Sequence, residues 1–516
     1  MALLQAGCRN RAILLFSLLV ITALFNGNSA LEARVYRYKW KVKYEYKSPD
    51  CFKKRVITIK GQTPGPTIRA KQNDSIIVEL TNSLSTENVS IHWHGIQQIQ
   101  NGTEGVTLPG TTFKYQFVVD RPGTYLYYAH DGMQREAGLY GSIIVALPKG
   151  KSEPFPYDYD RNIILSDWYH NSLSAIPFQW VGEPQSLLIH GRGKFNCSAL
   201  TSSEPGVCNA TNPECSPFRL IVVPGKTYRL RVSSLTALSD LSFQIEGHNM
   251  TVVEADGHNV EPFVVQSLFI YSGETYSVLV KADQDPTRNY WITSNVVGRE
   301  RKTPAGLANF VYYPNHPTRP PPTTPPIPPA WNNTAPRIEQ SKAIKARQGF
   351  IHTPPPLPDR VIILHNITDL RNRSVRNVSF TPSQIPNLIM DMDNLTRAQQ
   401  GCDFLNYDIF IVKSNATSNN GSKLTVDIIL ENAATHTHVW NLNGSDFWVL
   451  GYGEGKFDMI NDTGNYNLVN PAMKKTVPVH PNGWTAVRFE VDNYNYSGAQ
   501  EAQELHRRHA YGLSHF

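Results

Sequence analysis

Short runs in which apolar and polar side chains alternate recur along the chain. Val35–Trp40 reads V-Y-R-Y-K-W, Ser75–Leu80 reads S-I-I-V-E-L and Thr227–Val232 reads T-Y-R-L-R-V. A strand turns successive side chains to opposite faces, so a period of two marks a sheet with one buried face. Each run is bounded by Gly, Pro or Asn, the residues that turn a chain. Long amphipathic stretches at helical spacing are scarce. The pattern predicts an all-β protein of packed sandwiches. Two similar turn–strand phrases, Arg121–Tyr127 (RPGTYLY) and Val223–Tyr228 (VPGKTY), hint that the sandwiches repeat.

Eight of the fifteen residues from 315 to 329 are proline. Proline lacks the amide a sheet needs and stiffens an extended chain, so this stretch is expected to connect rather than pair. A second cluster, Pro354, Pro355, Pro356 and Pro358, precedes the apolar run Val361–Leu364. The expected organisation is a leader at 1–30, sandwiches at 31–146 and 147–316, a Pro-rich linker at 317–356 and a third sandwich at 357–516. A length of 516 residues suits several cores rather than one.

The leader changes the chemical setting. Arg9 and Arg11 precede an apolar run from Ala12 to Phe25, and Asn28-Ser29-Ala30 supplies small residues for cleavage. The run is short of the ~20 residues a membrane span needs. No later span and no lipid-anchor tail is expected. Sixteen Asn-x-Ser/Thr sequons, among them Asn88, Asn209, Asn366, Asn377 and Asn394, agree with a secreted, glycosylated, extracellular protein. Cys8 leaves with the leader. Of Cys51, Cys197, Cys208, Cys215 and Cys402, four are expected to pair in an oxidising compartment, leaving one odd thiol, assigned to Cys402. The net charge of +6 is small and contains no Lys/Arg block, which argues against a nucleic-acid partner.

Ile91-His92-Trp93-His94-Gly95 places two imidazoles two residues apart, on one face of a strand, where both can reach one metal cluster. A second motif, Ala129-His130-Asp131-Gly132-Met133-Gln134-Arg135, accompanies it. Together with IHWHGIQQ, GMQREAGLYGSIIV, WVGEPQSLLIHGRGKFNC and DFWVLGYGEGKF, the chain resembles the plant multicopper oxidases of the L-ascorbate oxidase type from about residue 33 to residue 492. The resemblance implies three cupredoxin-like Greek-key β-sandwiches. It also implies four coppers: a blue copper that takes electrons from a reductant such as ascorbate, and a trinuclear cluster that reduces O2 to water.

The ligands the resemblance implies are carried over one by one. His92 and His94 match two trinuclear positions and His130 a third. Tyr128 stands where a histidine belongs. Anchoring on Asp446-Phe447-Trp448 puts His438 at the blue-copper histidine and Asn441 and Asn443 at two trinuclear positions. Beyond Asn493, where the resemblance implies His-Cys-His, the chain continues Tyr494-Asn495-Tyr496 and carries no Cys through Phe516. Of the twelve ligands implied, four are placed: His92, His94, His130 and His438. A blue-copper site depends on a thiolate, so the expectation is partial or no copper and no intact catalytic set. Tyr and Asn codons lie one base from His codons, the mark of drift after selection for copper has relaxed. Trp180 matches a tryptophan of the ascorbate pocket, and Arg373 falls near the second. The disulfides implied are Cys51–Cys215 and Cys197–Cys208.

These residues lead to a secreted, non-catalytic family member. The alternative is an L-ascorbate oxidase or related copper oxidoreductase whose recorded sequence is damaged. A third reading gives His92, His94 and His130 one Cu or Zn. The partners implied are ascorbate and O2 for an active chain, cell-wall components, and a second copy in a homodimer. The third sandwich is expected to be incomplete, with an open sheet edge and poor order after about residue 493.

Overall fold

The computed structural model describes residues 33–96, 105–129, 133–171, 183–200, 206–300, 302–365, 377–381, 410–412, 424–443, 445–491 and 511–515. It is nearly all β, and its strands form three pairs of sheets. In the first pair, one sheet runs in the order Lys54–Ile59, Val35–Lys47, Ser75–Asn82, Thr112–Val118. Its mate runs Ile68–Lys71, Tyr140–Ala146, Gly123–Ala129, Ile91–His94. The alternating run from Val35 pairs antiparallel with Lys54–Ile59 and parallel with Ser75–Asn82, so its connection crosses between sheets. The second pair has a six-stranded sheet containing Thr227–Ser234 and a five-stranded sheet centred on Tyr290–Val297. The third has a six-stranded sheet containing Leu424–Asn432 and Gly483–Val491, and a four-stranded sheet containing His438–Asn443.

Each pair closes over its own apolar core. Trp40, Trp93, Tyr115 and Tyr127 fill the first, Val232, Phe243 and Ile292 the second, and Trp440, Phe447 and Phe489 the third. Burying each such large side chain contributes about 1.5–3 kcal/mol. The strand Gly123–Ala129 is buried along its whole length. Tyr125, Tyr127 and Ala129 face the first core, while Leu126 and Tyr128 pack with Ile164 and Leu235 of the second pair. A strand covered on both faces needs a nearly continuous apolar run, which T-Y-L-Y-Y-A supplies. Where this strand begins, Gly123 approaches Gly257 so closely that a Cβ would sit 2.7 Å from the Gly257 Cα.

The disulfides are Cys51–Cys215, which ties the first sheet pair to the second, and Cys197–Cys208, which closes a short loop. Cys402 lies outside the described residues.

The linker departs from a plain extended connector. After the prolines, Ala335–Ala343 forms a helix, with Pro336 in its first turn, where a missing amide costs nothing. Arg337 lies 3.2 Å from Thr437 Oγ1 and 4.0 Å from Asp240, and Ser341 Oγ lies 3.0 Å from His480 Nε2. The Gln340 amide accepts from Phe269 N at 2.8 Å and donates to Phe269 O at 2.6 Å. Phe269 belongs to Ser267–Ile270, the edge strand of its sheet.

The open edge expected in the third sandwich does not fall at the His438 strand. Tyr511–His515 inserts between Phe410–Val412 and His438–Asn443, pairing Trp440 with His515 and Leu442 with Leu513. The backbone groups of the His438 strand therefore find partners on both sides, against Thr476–Val479 and against this strand. Residues 492–510 lie outside the described residues. Among the described residues, no helix is long and apolar enough to cross a membrane.

Candidate functional site

The short strand Ile91–His94 has all four side chains buried. Ile91 and Trp93 enter the first core, so the two-residue period sends His92 and His94 to the opposite face. Its neighbour pairs Tyr128 with His92 in register. The three rings gather there: His92 to His94 5.6 Å between centroids, His92 to Tyr128 5.1 Å, and His94 to Tyr128 5.8 Å. The Arg135 guanidinium lies 5.3 Å from the centre of the Tyr128 ring.

The third sheet pair meets this face with His438–Asn443. Trp440 and Leu442 turn into the third core, and Asn441 turns the other way, toward the first pair. His94 Nδ1 lies 3.3 Å from Asn441 Nδ2 and 3.4 Å from Tyr128 Oη, and His94 Nε2 lies 3.4 Å from Thr476 Oγ1. One neutral tautomer meets this arrangement: Nδ1 accepts and Nε2–H donates. Burial pushes the His94 imidazole down to about 4; Asp256 works against that shift, while Lys475 and Arg135 add to it. His438 is buried, with its ring centroid 4.7 Å from that of His436. His130, Trp180 and Arg373 lie outside the described residues, as does the side chain of Asn443.

Copper at a trinuclear centre wants imidazole donors. At the described positions of the seam two imidazoles remain, and a phenol and a carboxamide stand where others belong. The carboxamide aims its NH2 donor, not a lone pair, at His94 Nδ1. Among the described residues, no group of three or more His, Cys, Asp or Glu is arranged to hold a metal ion. Among the described residues, these two imidazoles, the phenol and the carboxamide do not by themselves fit the trinuclear group.

Beside the seam lies a second buried polar region that the motifs did not indicate. Lys474 Nζ lies 3.1 Å from both Asp256 Oδ2 and Glu274 Oε1, at ion-pair distance rather than in an aligned hydrogen bond. Lys475 Nζ lies 3.0 Å from Asp446 Oδ1, and His258 Nε2 lies 2.9 Å from Asp446 Oδ2; Arg121 also pairs with Asp446. These residues come from all three sheet pairs. Burial alone would raise the Asp446 carboxyl, but Lys475, His258 and Arg121 hold it well below the usual carboxylate range. Burial pushes the His258 imidazole down to about 4 against the pull of Asp446. Gly95 makes room for Lys475, since a Cβ there would meet its Cε at 2.7 Å. The one signal in the sequence is the Lys474-Lys475 doublet, which places one lysine at the end of Met473–Lys474 and the other in the bend before Thr476–Val479.

Comparison with known proteins bears on the whole chain. Models described as multicopper oxidase match residues 41–150, 160–315 and 383–496. L-ascorbate oxidase of Brassica rapa subsp. pekinensis is 44% identical over 505 residues, covering 89% of this chain and 88% of that protein. L-ascorbate oxidase of Nicotiana tabacum is 44% identical over 527 residues, covering 92% and 89%. Among solved structures, the laccase from Botrytis aclada superposes with a TM-score of 0.66 at 24% identity, covering 89% of this chain and 84% of that one, a likeness of fold.

Proposed function

Because the chain belongs to the multicopper oxidase family, in its L-ascorbate-oxidase-like branch, we propose that it is a secreted, glycosylated extracellular member that has given up copper catalysis. It keeps the family scaffold as three sandwiches, near residues 31–146, 147–316 and 357–516. The family's copper is expected here only in part or not at all. The observation that carries this reading is the pair Tyr128 and Asn441, which meet His94 at 3.4 and 3.3 Å where the family resemblance implies copper-binding imidazoles. A phenol stays protonated near neutral pH, and an amide nitrogen offers no lone pair to a metal. The seam keeps its shape through hydrogen bonds instead. An active relative would take ascorbate and O2; for this chain the reading leaves a binding or wall-associated role.

The test is copper analysis of the purified, secreted protein after incubation with a copper salt, with oxygen uptake measured on ascorbate. Less than one copper per chain, no blue absorption band and no uptake are expected. A blue protein with about four coppers that consumes oxygen would overturn the reading and favour the alternative of an active oxidase with a damaged record.

A further inference from the structure

A cleft of about 420 Å³ lies away from the His94 seam, between the first and second sheet pairs. One wall is the turn 61–67, which carries Pro64, Gly65 and Pro66; the other holds His190, Gly191 and Arg192, and Lys47 and Glu214 flank the mouth. The walls are fixed against each other. The Cys51–Cys215 disulfide runs beside the cleft, and Gly193 N donates to Pro49 O at 2.9 Å across it. Gly191, at φ +74, packs so tightly on Pro64 that a Cβ would sit 2.2 Å from its Cδ. His190, at φ +52, holds a left-handed conformation that a non-glycine residue adopts at a cost. The cleft is therefore preformed, in the size range of small-molecule sites.

Its charge is unbalanced. Arg192 donates to two neutral peptide oxygens, Pro213 O and Glu214 O, each at 3.0 Å. Among the described residues no carboxylate pairs with it. Lys47 is held only loosely, 3.6 Å from Glu45 and 3.9 Å from Glu214. Burial pushes the His190 imidazole down, so it adds no charge at neutral pH. Glu45 is shared between Lys47 and Lys43, which lies 2.5 Å from it, so three cations, Lys43, Lys47 and Arg192, face two carboxylates, Glu45 and Glu214, and leave room for one negative charge. The planar fork of Arg192 suits a carboxylate better than a spherical anion. The ring faces of Pro64 and Pro66 offer apolar surface for C–H groups, and the exposed Gln62 side chain can bond hydroxyls at the rim.

We propose that this interdomain cleft binds a carboxylated sugar, with Arg192 and Lys47 on the carboxylate and the proline turn beneath the ring. The site is independent of the copper seam, so its test stands whether or not the chain binds metal.

The experiment is calorimetric titration of the full chain with D-galacturonate, with D-galactose as the uncharged match and inorganic phosphate as the bare anion. Saturable binding of galacturonate is expected, at least ten-fold tighter than galactose or phosphate. The double variant Lys47→Gln/Arg192→Gln should weaken it ten-fold or more. Because Arg192 also supports the 213–214 backbone, Gln62→Trp serves as a second variant that fills the mouth and leaves the cations alone; it should abolish binding without shifting Tm. Absence of saturable galacturonate binding, phosphate binding as tight as galacturonate, or full affinity in both variants would each overturn the proposal.

Discussion

Two buried polar regions lie side by side where the sheet pairs meet, and they handle burial in opposite ways. At the His94 seam the groups bonded to one another are neutral, an imidazole, a phenol, a carboxamide and a hydroxyl, with the Arg135 guanidinium over the phenol ring. At the Lys474–Lys475 junction charge faces charge: Asp256 and Asp446 answer two lysines and Arg121, while burial pushes the neighbouring Glu274 carboxyl up to about 7. Lys475 belongs to the junction, and the next residue, Thr476, already belongs to the seam. A single step along the chain separates the two solutions. Weak neutral bonds can hold a seam when an ionic lock next to it already joins the same three sheet pairs.

The sharpest way to break that comparison is Lys474→Met. Removing one partner of a buried pair leaves Asp256 and Glu274 uncompensated, a cost of roughly 3–5 kcal/mol. Urea unfolding measures it; a loss no larger than that of a seam variant would erase the distinction. Acid comes next. His258 at the junction and His94 at the seam are both held at about 4, below the ~6.5 of an unfolded histidine. The unfolded chain then binds more protons in between, so stability present above pH 6.5 is lost as pH falls toward 4. Each histidine contributes a slope of up to about 1.4 kcal/mol per pH unit. Glu274, raised to about 7, and Asp240, raised to about 6, work the other way in this window, so thermal melts report the net decline, and His258→Gln should lessen it.

A smaller effect belongs to Tyr128→Phe, which deletes one long hydrogen bond and should cost about 1 kcal/mol. A cost near that of Lys474→Met would mean the seam carries far more than its bonds. The smallest effect expected is none. A ligand at a hundred times its Kd would add about 2.7 kcal/mol, so melts with and without a copper salt should coincide; a clear rise in Tm would show that the seam still holds metal.

The fold was largely legible because sheets write their period into the chain. Val35–Trp40 opens the strand Val35–Lys47, Thr227–Val232 opens Thr227–Ser234, and Val361–Leu364 lies inside Arg360–His365. The seam was legible as motifs, since His92, His94 and Asn441 sit in phrases with recognisable spacing. The ionic junction was not. Asp256, Asp446 and Lys474 are far apart in sequence, and only the packing of three sheet pairs makes them neighbours. The helix Ala335–Ala343 was hidden for a different reason: its apolar face is slight, and what holds it are Arg337, Gln340 and Ser341, all polar and all buried. The strand Tyr511–His515 follows a stretch without the family phrase, so nothing local announced it.

Gln340 has a further consequence. Its side chain imitates a peptide group, taking both the donor and the acceptor that Phe269 presents at the rim of its sheet. An exposed rim is a template on which another molecule can lay down a strand and begin a fibre. Here the chain's own linker occupies that template, so this rim is guarded against self-polymerisation.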